Sequence, residues 1–159
     1  MCIRDRSKID YKPKLHFHLY PTPGPMSQSP LGANALSFTT FEQHAPFTSN
    51  PAYADVFKTF NDRAAKANLP DTAFELQAAN AFAGWQVLEA GVKGTNSLDD
   101  KRIADWLRKN KVDTIVGRLR FDGPNNYGDD ANRVKQVQNG KWVVIHPKEF
   151  AFPGSKLQS

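Results

Sequence analysis

The chain has 159 residues, 40% of them hydrophobic, with Lys+Arg 21 against Asp+Glu 16 and a net charge of +5. Eleven Phe within an 11% aromatic content point to a packed core rather than a disordered chain, and the length suits one domain or a piece of a larger protein. Mean hydropathy is −0.57, and no apolar run approaches the ~18 residues that would span a bilayer, so no membrane insertion is expected. One cysteine leaves no internal disulfide framework.

Met1-Cys2-Ile3-Arg4-Asp5-Arg6 has no periodicity and holds that cysteine. It resembles the translation of a transposase adapter used in sequencing libraries, and residues 1–11 are expected to be such an artefact or a disordered start. On that reading the natural start lies upstream, and Cys2 is not a candidate nucleophile.

Leu15 to Tyr20 alternates Leu15, Phe17 and Leu19 with His16, His18 and Tyr20, which is the period of a strand. Pro21, Pro23, Gly24 and Pro25 then predict a loop. Ala35–Glu42, rich in Thr and Phe, predicts a second strand, and Gln43–Pro51 a loop.

Asn50-Pro51 supplies a cap and a first-turn proline to a helix with Tyr53, Val56, Phe57, Phe60 and Ala64 on one face. That helix is expected to end near Asn68-Leu69-Pro70. Asp71 is the candidate cap of the next helix. Its stripe of Phe74, Ala78, Ala81, Phe82, Trp85, Leu88 and Val92 is expected to be core, with Gly94 past its end. Ser97 and Asp100 resemble a capping box for a third helix with Ile103, Trp106 and Leu107 on its apolar face. Arg108, Lys109 and Lys111 near its C-terminus suit the helix dipole.

Asp113–Gly117 running into Arg118–Asp122 predicts one strand that leads to the turn Gly123-Pro124. Val134–Gln138 and Lys141–Ile145 flank Asn139-Gly140, the pair preferred where both turn positions need positive φ, so a hairpin is expected. Helices dominate the middle and few strands remain for them to cover. A piece cut from a larger α/β protein accounts for that shortage.

Chemistry-bearing motifs are sparse. His16 and His18 share one face of a strand, as a pair of metal-binding imidazoles would, yet no second His/Asp/Glu cluster supplies a third ligand or a base. Polar residues on a strand face are the ordinary explanation, and no metal or cofactor is expected. Asp122–Asp130 is rich in oxygen donors, but Pro124 stands where a calcium loop needs a ligand and no Glu closes it. The adjacent pairs Asp99/Asp100 and Asp129/Asp130 suit caps and turns rather than acid–base work. None of the nucleophile-elbow, phosphate-loop or dinucleotide motifs occurs, so no enzyme is expected. The pI near 9.4 comes from basic residues interleaved with acids, as in Asp99-Asp100-Lys101-Arg102, which argues against a nucleic-acid face.

From about Lys12 onward the chain resembles the C-terminal part of the branched-chain amino-acid-type periplasmic binding proteins, the type I solute-binding components of ABC importers. The resemblance rests on the order and spacing of Phe82–Gly91, Ser97–Asp100, Ile103–Leu107, Val112–Gly117, Arg120–Asp122, Val134–Val144, Pro147–Ala151 and Pro153-Gly154. It implies an α/β fold of two Rossmann-like lobes in the parent, with this chain a C-terminal fragment holding parts of both. Residues 12–34 would then belong to the C-terminal lobe. Residues 35–111, a crossing strand and three helices, would belong to the N-terminal lobe. Residues 112–159 would cross back as a strand and form the C-terminal-lobe hairpin and tail.

The resemblance also implies a small polar solute held between the lobes, transient docking on ABC permease subunits, and a periplasmic location. Contacts to the solute would come from Tyr20 and Thr22 after the first strand, and from Phe74 and Gln77 at the start of the central helix. Amino-acid-binding relatives often carry a carboxylate in that first loop, but Leu19–Ser29 has no Asp or Glu. An ammonium buried there would lack its counter-charge, so amides, ureas and aromatic carboxylates stay open as ligands beside amino acids. The alternatives are a cytoplasmic ligand sensor of the same fold and a metal-dependent hydrolase using His16 and His18. A fragment whose helices lack the sheet they cover is expected to be poorly soluble and to bind nothing tightly.

Overall fold

The computed structural model describes residues 8–9, 13–19, 23–69, 74–128 and 131–159. In chain order the elements are β1 (His16–Phe17), α1 (Pro23–Gln28), β2 (Ala35–Thr39), α2 (Tyr53–Lys66), α3 (Leu76–Thr95), α4 (Asp100–Leu107), β3 (Val112–Thr114), β4 (Gly117–Leu119), β5 (Arg133–Gln138) and β6 (Lys141–His146). The protein is mixed α/β and divides into two compact units, Met1–Thr39 with Asn132–Ser159, and Thr40–Ala131. Among the described residues no helix is long and apolar enough to cross a membrane.

The first unit is a four-stranded sheet ordered β1-β2-β5-β6, with β1 parallel to β2 and the other pairs antiparallel. Asn139 (φ 52°) and Gly140 (φ 74°) make the expected two-residue turn between β5 and β6. On β2, Ala35, Ser37 and Thr39 are buried and alternate with half-buried Leu36 and Phe38. Met26 of α1 closes over Ala35 and Val137, with Trp142 packed beside them.

That helix corrects the loop expected through Pro21–Pro25. Pro23 stands in the first turn, where a missing N–H costs no helical bond, and Met26 gives the helix a buried anchor. The first strand is also shorter than the expected Leu15–Tyr20. Its apolar alternates Leu15, Phe17 and Leu19 are 38%, 51% and 63% exposed, so no packing extends the pairing beyond β2. Tyr20 lies outside the described residues.

The second unit is built on helices. Asn50 takes the Ala52 N–H on Oδ1 at 2.9 Å and donates from Nδ2 to the Thr114 carbonyl at 3.2 Å, tying the start of α2 to β3. Asn68 (φ 50°) follows the end of α2 in the left-handed conformation. Asp71, the expected cap of the next helix, lies outside the described residues, and α3 starts at Leu76. Its C-terminal cap is Asn96 (φ 47°) rather than Gly94. Gly94 instead lies within the helix, where a Cβ would stand 2.3 Å from the Trp106 ring. Gly91 is similarly crowded by Ile103, at 2.7 Å, so small residues let α4 lie close against α3.

The α4 cap is Asp99, whose Oδ1 accepts the Arg102 N–H at 2.8 Å, while Ser97 Oγ accepts the Asp99 N–H at 3.0 Å. The Ser97/Asp100 box is therefore replaced by a cap two residues after Ser97. The single strand expected over 113–122 is a hairpin, because β3 and β4 pair Val112 with Leu119 and Thr114 with Gly117. Gly117 (φ 118°) takes the left-handed bend, and Gln86 Oε1 of α3 accepts the N–H of buried Ile115 at 2.8 Å. After β4, Pro124–Asn126 forms a single 3₁₀ turn. Asp129 and Asp130 are not among the described residues.

Candidate functional site

Of the four solute-contact residues expected from the resemblance, Tyr20 and Thr22 lie outside the described residues. Phe74 lies two residues before α3 and Gln77 in its first turn. Phe74 is 1% exposed and meets Phe41 edge-on at 5.5 Å and Phe60 at 5.2 Å. Its carbonyl accepts a hydrogen bond from Gln43 Nε2 at 3.0 Å. Around it Phe41 also meets Phe47 and Tyr53, and Tyr53 stacks on Phe57 at 5.5 Å. Phe74 is thus part of an aromatic core, whereas Gln77 is exposed to solvent on α3.

Periodicity alone did not reveal how α3 uses its residues. Ala79, Ala83 and Gly91 are the buried positions of the helix, on the side that α4 and β3 cover. The larger stripe expected to be core is open: Phe82 is 37%, Trp85 71% and Leu88 44% exposed. The helix is apolar on two sides and only the small-residue side is closed. Apolar character on two sides is the pattern of a helix packed against more than one neighbour.

Between α2 and that open side runs a groove of about 470 Å³ lined by Val56, Phe60, Phe74, Ala78, Ala81, Phe82 and Trp85. Asp55, Thr59 and Arg63 of α2 supply its polar groups. Such a surface gains free energy by burying apolar area, at about 25 cal/mol per Å². The signal for it was in the sequence, in the spacing of the same residues, but that spacing does not tell a covered face from an open one.

Some charged side chains of the helices pair locally. Lys58–Asp62, Glu89–Lys93 and Asp105–Arg108 are exposed pairs one turn apart. The Lys58 ammonium beside Asp62 holds that carboxyl below the usual aspartate range, and Arg118 does the same to Asp113 across the β3–β4 pair.

In the first unit, His16 and His18 do share a face. His16 Nδ1 and His18 Nε2 are 2.6 Å apart, with the rings edge to face at 88° and centroids 4.9 Å apart. No group of three or more His, Cys, Asp or Glu side chains suited to a metal ion occurs among the described residues.

No family model matches the chain. Over 116 residues it is 28% identical to Leu/Ile/Val-binding protein homolog 3 of Brucella melitensis biotype 1, a match covering 72% of this chain and 29% of that relative. The chain therefore spans less than a third of the length of the binding protein to which it is distantly related.

Proposed function

We propose that the chain is the C-terminal portion of the substrate-binding component of an ABC importer, whose two lobes close on a small polar solute and present it to permease subunits. The observation that carries this reading is the relation to a Leu/Ile/Val-binding protein homolog of which the chain spans under a third. The two-sided apolar character of α3 supports it, since the Phe82–Trp85–Leu88 side suits a helix covering a sheet supplied by a longer chain. Closure is a ligand-biased hinge equilibrium with no covalent step.

In this proposal residues 1–11 are the artefactual or disordered start and residues 12–34 belong to the C-terminal lobe. Residues 35–111 belong to the N-terminal lobe, and residues 112–159 return to the C-terminal one. The separate clustering of Thr40–Ala131 from the two flanking segments supports a division between helices and flanks, with limits that differ from those by several residues. Tyr20 and Thr22 hydrogen-bond the solute, exposed Gln77 contacts it from α3, and Phe74 packs behind. The mature parent works in the periplasm. Because Leu19–Ser29 offers no carboxylate, the counter-charge for any ammonium comes from the parent's other segments, or the solute is an amide, urea or aromatic carboxylate.

The test is to recover the coding sequence upstream of Ser7, express the continuous frame and titrate it with L-leucine, L-glutamine, urea and benzoate. A signal peptide, a strand–helix-alternating lobe and saturable binding of one probe without turnover support the importer component. A lobe without a signal peptide would make the protein a cytoplasmic sensor instead. A stop codon and genuine start at Met1 would overturn the reading, as would turnover of a probe.

A further inference from the structure

By sequence alone, His16 of β1 and His18 just beyond it are ordinary polar residues on a strand face. Their placement gives them more to do. Alternate strand residues point to one side about 6.6 Å apart, a span that two imidazole rings can bridge. Here the spacing is held by the sheet: His16 pairs with Ala35, Phe17 with Leu36, and the His18 N–H donates to the Leu36 carbonyl at 2.8 Å. Both rings are half-buried, and their facing nitrogens, Nδ1 of His16 and Nε2 of His18, stand 2.6 Å apart. Two lone pairs at that distance repel, so one proton lies between them.

We infer that His16 and His18 form a two-imidazole site for a borderline divalent transition-metal ion of the zinc-to-copper group, with solvent completing its shell. A metal–nitrogen length of about 2.05 Å at tetrahedral or square-cis angles sets the two nitrogens about 2.9–3.4 Å apart. The two nitrogens therefore part by less than about 1 Å, while each ring swings about its side-chain torsions to turn its lone pair from its neighbour to the ion and the strand stays paired. The proton between them moves to the other nitrogen of its own imidazole, so both rings stay neutral and no proton is lost. Paired neutral imidazoles select this class over magnesium and calcium, which favour oxygen donors. The ion would clasp β1, the strand with the shortest pairing in its sheet, and so stabilise its register against β2. This site does not depend on the solute-binding reading.

The experiment uses the full chain, free of any affinity tag and carrying Cys2→Ser to remove the competing thiol. Zinc chloride is titrated by calorimetry and by imidazole NMR. The expected result is one ion per chain, with the ring signals of His16 and His18 shifting together while those of His44 and His146 stay put. H16Q and H18Q, each shown by circular dichroism to keep the fold, weaken binding about tenfold or more. H18C, which keeps a zinc ligand, retains it. The proposal fails if zinc does not bind at millimolar concentration, if only one of the two rings responds, or if either glutamine variant binds as tightly as its parent.

Discussion

Gln136 and Gln158 exchange two hydrogen bonds in the manner of paired strand residues, although one partner contributes only its side chain. Gln136 Nε2 donates to the Gln158 carbonyl at 2.8 Å, and Gln136 Oε1 accepts the Gln158 N–H at 2.9 Å. Gln138 extends the pattern: its Nε2 donates to the Lys156 carbonyl at 2.7 Å and to Gln136 Oε1 at 2.8 Å. Both glutamines are buried in β5, and Gln136 also reaches the Asn34 carbonyl at 3.2 Å. Two amides thus seat the C-terminal tail on the sheet.

Replacing Gln136 with leucine keeps its bulk but takes a partner from the buried Gln138 amide, as well as from the half-buried Asn34 carbonyl and the Gln158 N–H. A buried polar group left unsatisfied costs about 1–3 kcal/mol, so Gln136→Leu should lower stability by that amount in urea unfolding. Gln136→Glu should cost more, because it places a charge in the same buried position. An unchanged urea midpoint for both variants would show that the tail contributes nothing to the sheet.

Phe74 and Trp85 line the same groove and should respond in opposite ways. Phe74→Ala empties the space between Phe41 and Phe60 and should cost about 3–5 kcal/mol. Trp85→Gln removes a ring that is 71% exposed and should shift stability by no more than about 0.5 kcal/mol. It should also reduce the binding of an apolar dye such as anilinonaphthalene sulfonate and raise solubility. A large loss of stability from Trp85→Gln would mean that this face is covered in solution.

The glycines of α3 make a second contrasting pair. Gly84 has nothing within 4 Å of where a Cβ would stand, and its place is in the middle of a helix. Gly84→Ala should therefore stabilise the protein by up to about 1 kcal/mol. Gly94→Ala drives a methyl group to 2.3 Å from the Trp106 ring and should cost about 1–3 kcal/mol as the helices are forced apart. Thermal melts of the two variants should move in opposite directions, and equal shifts would place α4 elsewhere.

These particulars show what local chemistry encodes and where it stops. The Asn139-Gly140 hairpin was legible because the turn requires positive φ at two adjacent positions, a demand met within four residues. The helices were legible from apolar spacing, but which side of α3 is closed was not. That depends on Gly91 and Gly94 admitting Ile103 and Trp106, residues known only to the packed pair. The β3–β4 hairpin was missed because the bend lies at Ile115-Val116, two β-branched residues that read as strand interior. What reverses the chain there is Gly117 together with the Thr114 hydroxyl, which donates to the Gly117 carbonyl at 2.7 Å. Within the candidate site, the burial of Phe74 in the aromatic core was not separable by sequence from exposure to a ligand.

The β3–β4 hairpin should respond to acid through Asp113. Arg118 donates to it twice, at 2.6 Å and 3.2 Å, and these hydrogen bonds hold its carboxyl below the usual aspartate range. A carboxylate whose pKa is lower in the folded than in the unfolded chain adds stability above the unfolded value. That contribution disappears as pH falls through the folded one. Both side chains are largely exposed, so the effect is small and salt screens it. A titration followed by the amide signals of Val112–Leu119 should show an acid-limb midpoint below that of an ordinary aspartate, moving upward as sodium chloride is raised. Asp113→Asn should abolish that midpoint and leave a pH-independent plateau above neutral that lies slightly below the parent's, because the Arg118 contact it removes is fully formed there. A midpoint indifferent to both salt and the substitution would assign the transition to another carboxylate and leave the Arg118 contact without a role in holding the hairpin.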